Sequence, residues 1–205
     1  MKFVLFVEGH TEKIAVPCFL QRWLNQRLSK NIGIKPVRFQ GWPEMVKDMP
    51  KKAKMYLDRY EDIIAVFGLM DLYGPTFYPQ DKRTTKERLD WATQNIEDKV
   101  GSDRFRIFFA VHEIEAWLMS DPNIFPIEIR KAFPSDIPPE TINFSEPPSK
   151  LLDKMYYQKM GRKYKKVVLG RTLFAKLDPE IAYTKCPNLK MMLDEMLRMA
   201  EESRL

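Results

Sequence analysis

Glu61-Asp62-Ile63-Ile64-Ala65-Val66-Phe67-Gly68-Leu69-Met70-Asp71-Leu72-Tyr73-Gly74-Pro75 is the stretch on which the fold turns. Residues 63–70 form an apolar run rich in branched side chains and bounded by acids on both sides. That is the composition of a strand buried on both faces in the middle of a parallel sheet. Such a strand delivers the residue that follows it to the carboxyl edge of the sheet, and here that residue is Asp71.

Working outward, residues 2–7 read as another strand buried on both faces. Residues 11–28 read as a helix with Ile14, Cys18, Phe19, Trp23, Leu24 and Leu28 at helical spacing and His10 or Thr11 as cap. Residues 33–39 give a second strand, and residues 43–59 a helix that Pro50 is expected to break or kink. Past the loop of Gly74, Pro75 and Pro79, Thr84 and Glu87 form a capping box. The helix it opens carries Leu89, Ala92, Ile96 and Val100 on one face and stops at Gly101. Residues 104–111 supply a fourth strand and residues 113–119 a short helix. Strands alternating with helices predict an α/β, Rossmann-like fold with a mainly parallel sheet of about four strands flanked by helices.

After Asp121 the pattern changes. Pro122, Pro126, Pro134, Pro138, Pro139, Pro147 and Pro148 crowd a stretch poor in periodicity, read as an irregular, partly helical cap. Helical pattern returns at Lys150, and residues 188–203 form a terminal helix with Leu189, Met192, Leu193, Met196, Leu197 and Ala200 on its stripe. The expected organisation is an α/β core over 1–121, a proline-rich arm over 122–149, and a basic helical region over 150–205 packed on the core.

The 205 residues, 44% hydrophobic and 12% aromatic, suit one large domain with an appendage. The longest apolar run, residues 63–70, falls far short of the roughly 20 needed to cross a bilayer. The first residues lack a signal-peptide pattern, so a cytoplasmic protein without membrane attachment is expected. Two distant cysteines, Cys18 and Cys186, and two histidines, His10 and His112, argue against a zinc site or a disulfide framework. Cys18 reads as a small buried hydrophobe.

The net charge of +6 is unevenly placed: residues 150–205 hold 13 basic and 7 acidic side chains, and the rest of the chain is balanced. Lys150, Lys154, Lys159, Arg162, Lys163, Lys165, Lys166 and Arg171 face only Asp153, with Tyr156, Tyr157 and Tyr164 between them. Such a stretch suits a phosphate backbone with stacking faces for bases, Lys150, Lys154, Arg162, Lys163, Lys165 and Lys166 being the candidate contacts. A solvated helix face is the plainer reading.

In open parallel sheets, ligands gather at the carboxyl ends of the strands. Acids stand at those ends here: Glu8 and Glu12 after the first strand, Asp71 after the third, and Glu113 and Glu115 after the fourth. Carboxylates converging at one edge repel unless cations lie between them, and an all-oxygen set suits magnesium or manganese. Each acid also has a local reading. Glu8 and Glu12 favour a helix amino end, Asp71 opens a turn, and Glu113 and Glu115 are first-turn acids. His10 and His112 are assigned structural or substrate-orienting roles. No Gly-x-Ser-x-Gly elbow, P-loop or dinucleotide fingerprint is present, so any ATP chemistry must come from a partner.

Three blocks, Val7-Glu8-Gly9-His10-Thr11-Glu12, Met70-Asp71-Leu72-Tyr73-Gly74-Pro75 and His112-Glu113-Ile114-Glu115-Ala116-Trp117-Leu118, resemble a bacterial Toprim-like family of unknown function, DUF4276. Pro148-Ser149-Lys150, Tyr164-Lys165-Lys166 and Cys186-Pro187-Asn188 extend the likeness along nearly the whole chain. That family is similar to the Toprim domain of overcoming-lysogenisation-defect nucleases and to Toprim effectors that work beside an ATPase in anti-phage systems. The resemblance implies a Toprim fold. It aligns Glu8 and Glu12 with the glutamates after the first strand, Asp71 with the first aspartate of Asp-x-Asp, Glu115 with a later metal-binding glutamate, and Lys166 with a lysine near the scissile phosphate. Tyr73 replaces the second aspartate, and a phenol with a reference pKa of about 10 is a poor magnesium ligand.

The expected function is a magnesium- or manganese-dependent endonuclease acting on DNA or RNA, an anti-phage effector with an ATPase encoded nearby. Glu8, Asp71 and Glu115 would hold metal, Glu12 and Glu113 a second ion, and Lys166 the phosphate; a homo-oligomer is compatible with this. Two other readings stand beside it: a regulatory subunit of an ATPase complex that kept the scaffold and lost turnover, and a phosphohydrolase for small molecules.

Overall fold

The computed structural model describes residues 1–133, 138–141 and 146–203. β1 (Lys2–Val7), β2 (Gly33–Arg38), β3 (Ile63–Asp71) and β4 (Phe105–Ala110) form one sheet in the order β2-β1-β3-β4, every neighbouring pair parallel. α1 (His10–Asn25), α2 (Trp42–Arg59) and α3 (Thr85–Val100) are the crossovers. The expected α/β architecture with a four-stranded parallel sheet flanked by helices is what the chain adopts.

Because β2 lies to one side of β1 and β3 to the other, the first two crossovers leave in opposite directions. With right-handed connections they must cover opposite faces. The buried side chains divide that way. Phe3, Leu5, Val7, Phe67 and Leu69 pack with Phe19, Leu20 and Trp23 of α1. Val4, Phe6, Val66, Met70 and Ile107 pack with Met45, Met49 and Ala53 of α2 and Ala92, Ile96 and Val100 of α3. Each fully buried Phe, Leu or Val contributes about 1.5–3 kcal/mol, so the two-sided run of β3 anchors both layers at once. Gly68 is the gap in that run: a methyl there would strike Ile107 and come within 3.1 Å of Met49 Sδ, so its absence lets α2 and β4 close on the strand.

The remaining helices are α4 (Glu115–Leu118), α5 (Ile127–Arg130), α6 (Pro148–Met160), α7 (Lys166–Lys176), α8 (Pro179–Lys185) and α9 (Pro187–Glu202), with 3-10 turns at Pro122–Ile124 and Pro139–Thr141. Residues of α6 to α9 complete the apolar layer on the α1 face. α7 is fastened to α1 by Arg22, whose guanidinium donates to the carbonyls of Phe174, Ala175 and Leu177 at 2.7–3.1 Å, a cation at a helix carboxyl end. Segments 134–137 and 142–145 of the expected proline-rich arm lie outside the described residues.

Several local expectations are corrected. α2 runs unbroken through Pro50. A proline removes one backbone bond, and the burial of Met45, Met49 and Ala53 outweighs that loss in α2. Cys18 is exposed and Cys186 buried, because Cys18 falls on the outer side of α1, whose inner side is Ala15, Phe19, Leu20 and Trp23. The helix expected over 113–119 is confined to α4. The capping box of Thr84 with Glu87 forms as read.

Candidate active site

β1 and β3 are the adjacent strands between which the order of the sheet reverses, and their carboxyl ends carry Glu8 and Asp71. The Asp71 N–H donates to Glu8 Oε1 at 2.9 Å. Asp71 Oδ1 accepts from the Ile114 N–H at 3.2 Å, tying the segment after β4 to the end of β3. Glu12, in the first turn of α1, is buried, and its carboxylate folds over Gly9; a methyl at Gly9 would run into Glu12 Oε2. Glu115 opens α4 and has no exposed surface.

Lys166, the first residue of α7, brings its ammonium into this group. Nζ lies 3.1 Å from Glu115 Oε2, 3.6 Å from Glu12 Oε1 and 3.8 Å from Asp71 Oδ2. The five side chains singled out from the sequence as Glu8, Glu12, Asp71, Glu115 and Lys166 therefore meet at one place.

Crowding shapes the charges. Burial pushes the Glu8 carboxyl up to about 7, with Glu12 adding to the rise and the Asp71 N–H opposing it. Burial likewise raises Glu115 to about 7 against the pull of Lys166. Asp71 is raised well above its ordinary value, first by burial and then by Glu12, Glu8 and Glu115, while Lys166 opposes. Burial disfavours the Lys166 ammonium, yet Asp71, Glu115 and Glu12 together hold it above its ordinary value. Four carboxyls share one ammonium, and three of them are displaced toward the protonated form.

Glu113 lies at the margin of this group, its charge raising both Glu115 and Lys166. Both oxygens of Glu113 are engaged by Ser149: Oε2 accepts from its N–H at 2.8 Å and Oε1 from its hydroxyl at 2.9 Å. Glu113 thus holds the first turn of α6. His112 is buried with a φ of 68°, and its carbonyl accepts from the Tyr73 N–H at 2.9 Å; burial lowers its pKa. Among the described residues it alone adopts positive φ without being glycine, a conformation that costs of order 1–3 kcal/mol. His10 is exposed at the start of α1.

Lys150, Lys154, Lys159, Arg162, Lys163, Lys165 and Arg171 are exposed, as a binding track needs. The stacking platform expected among them is corrected: Tyr156 and Tyr164 are core residues packed on each other at 5.7 Å, and of the three tyrosines Tyr157 alone faces solvent. The Tyr164 N–H donates to Asp153 Oδ1 at 2.8 Å, which turns the chain inward before α7 and aims Lys166 at the carboxylates. Gly9 and Ile114 stand in the motif blocks of the sequence, which give no role to the glycine or to the Ile114 amide. A glycine directly after the first-strand glutamate was the available signal for Gly9.

Among the described residues no group of three or more acidic, histidine or cysteine side chains is arranged as a ready-made metal-ligand set. The donor chemistry nonetheless fits a hard divalent cation: the donors are all oxygen, carboxyls outnumber ammonium, and the buried Glu115 Oε1 has no hydrogen-bond partner among the described residues. Among the described residues no helix is long and apolar enough to cross a membrane.

The model of the family described as "Domain of unknown function (DUF4276)" matches residues 7–197. No curated protein matches the chain. Among solved structures, the C-terminal region of the Xanthomonas campestris pv. campestris OLD protein is similar at 14% identity and a TM-score of 0.47, over 98% of this chain and 97% of that one. The C-terminal region of the Burkholderia pseudomallei OLD protein is similar at 14% identity and a TM-score of 0.45, over 95% and 98%.

Proposed function

We propose that this chain, which belongs to the DUF4276 family, is a magnesium- or manganese-dependent phosphodiesterase that cuts nucleic acid. The observation that carries the reading is the Lys166 ammonium held among Glu12, Asp71 and Glu115, with Glu8 tied to Asp71 at the point where the sheet order reverses. A structural ion pair needs one carboxylate; gathering four around one lysine, two of them buried and two half-buried, costs several kcal/mol per uncompensated buried charge. Such a cost is typical of a site kept for chemistry.

Glu8, Asp71 and Glu115 would hold the cation, with Glu12 completing the donor set. The bound ion supplies an activated water and neutralises charge on the phosphate oxygens. Lys166 is the cationic side chain positioned to turn from the carboxylates toward a phosphate and stabilise the charge that develops there. Glu113, with both oxygens on Ser149, braces α6 in this scheme. The exposed bases of α6 and the loop after it would hold the strand, DNA or RNA, through its phosphates. By resemblance of its motif blocks, the protein would act in the cytoplasm as an anti-phage effector beside an ATPase encoded nearby.

The test is cleavage by the purified protein, alone and with a neighbouring ATPase, in magnesium or manganese. Cutting should stop in chelator and fall at least ~100-fold in Glu8→Gln and Asp71→Asn. Cutting that survives both substitutions would exclude this site. Tyr73, in place of a second aspartate, favours a second reading, a regulatory subunit without turnover. Calorimetry showing that the wild type binds neither ion would select it.

A further inference from the structure

Beside the carboxylate cluster, the loop that follows β3 encloses a cavity of about 580 Å³. Its wall begins immediately after Asp71, with Leu72 and Tyr73, and continues through Gly74, Pro75, Tyr78 and Pro79 to Lys82, Arg83 and Arg88. The volume falls within the roughly 300–1,000 Å³ of small-ligand sites. Its lining pairs flat apolar surfaces with three cations and no carboxylate.

We infer that this cavity is a nucleotide subsite, holding the base and phosphate of one nucleotide beside the carboxylate cluster. Arg83 is exposed, and among the described residues its guanidinium has no ion pair. Among the described residues Lys82 pairs only with Asp81, at 2.9 Å and with the aspartate largely in solvent, a contact too weak to withhold it from a phosphate. Arg88 is placed differently: it lies 5.3 Å from the Tyr78 ring and donates to the Lys82 carbonyl at 3.0 Å, so it braces the wall. Among the described residues the buried Tyr78 hydroxyl has no hydrogen-bond partner, and burying such a donor costs about 1–3 kcal/mol until something accepts from it. The Tyr78 ring is held by Phe77 and Trp91 at 4.6 and 6.4 Å and by Arg88 over it, so it forms a rigid wall against which a base can pack.

As a subsite for the scissile strand, the assignment rests on the phosphodiesterase reading; its test does not require turnover. Binding of tetrathymidylate and of thymidine 5′-monophosphate is measured by calorimetry in chelator, on wild type, Lys82→Ala, Arg83→Ala and the double variant. Asp71→Asn serves as a control for the cluster, and circular dichroism checks the fold of each. The expected result is binding to wild type and Asp71→Asn, a loss of roughly 5- to 10-fold in each single variant and a larger loss in the double. Preference for the tetramer assigns the cavity to a nucleic-acid strand, and equal binding assigns it to a free nucleotide. Wild-type affinity in the double variant, or no binding of either probe to the wild type, overturns the subsite. Probe binding without cation-dependent cleavage overturns the phosphodiesterase reading and leaves the subsite. Cleavage with a binding-neutral double variant does the reverse.

Discussion

Lys166 Nζ stands 3.1 Å from Glu115 Oε2, joining the first residue of α7 to the first residue of α4 across a carboxylate that no solvent reaches. The same ammonium lies within 3.8 Å of Glu12 and Asp71, so one side chain compensates three acids. Breaking a buried pair costs about 3–5 kcal/mol, and the partial exposure of Lys166 reduces this to about 2. Lys166→Met should therefore lose about 2 kcal/mol in urea unfolding at pH 8 in chelator, and much less at pH 5, where the carboxyls take up protons. Equal unfolding midpoints for variant and wild type at pH 8 would contradict this.

The pH dependence of the metal-free protein follows from Glu8 and Glu115, both raised from 4.5 to about 7. A carboxyl raised on folding binds more protons in the folded state. Its contribution is fully present below about 4.5 and is lost as pH rises through about 7. Each group accounts for stability on the order of 3 kcal/mol over that window. Thermal melts in chelator should fall between pH 5 and pH 8. Magnesium at pH 8 should raise them again, because it binds only the folded state. Glu115→Gln, which mimics the protonated acid, should flatten the slope; a melting temperature that climbs from pH 5 to pH 8 would refute the linkage.

Gly9 has φ −118° and ψ 179°, a conformation open to alanine, so Gly9→Ala should fold with a change below about 1 kcal/mol. The added methyl displaces the Glu12 carboxylate. A misplacement of this size should lower cation-dependent cleavage by about 10²-fold while the melting temperature barely moves. Full activity in Gly9→Ala would remove Glu12 from the site.

Glu113 and Ser149 separate bracing from ligation. Glu113→Ala abolishes two hydrogen bonds to a carboxylate and should cost about 2–3 kcal/mol in denaturant unfolding. Cation affinity measured by calorimetry should stay near wild type. A fall in affinity like that of Asp71→Asn would make Glu113 a ligand.

Much of the frame was legible because its signals are local. The run at residues 63–70, the shorter run at residues 2–7 and the Thr84–Glu87 cap each encode their element within a few residues, and each formed. Reading failed where a long-range contact overrides a local preference. Pro50 stays inside α2 because its helix face is buried on the sheet. Tyr156 and Tyr164 look like surface aromatics among lysines and are core residues, because α6 and the turn after it close over the α1 layer.

The sequence by itself determined that acids follow the apolar runs and that the runs form a parallel α/β sheet, since both facts are written in spacing and side-chain type. Tertiary structure alone decided that β1 and β3 are neighbours, which sets Glu8 against Asp71, and that Lys166 enters from a distant helix to sit among the carboxylates. The second outcome depends on α7 packing on α1 through Arg22 and on the missing side chain of Gly170, where a methyl would lie 3.0 Å from Thr11 Cγ2. That fit is a property of two surfaces meeting, and no periodicity along one chain segment expresses it.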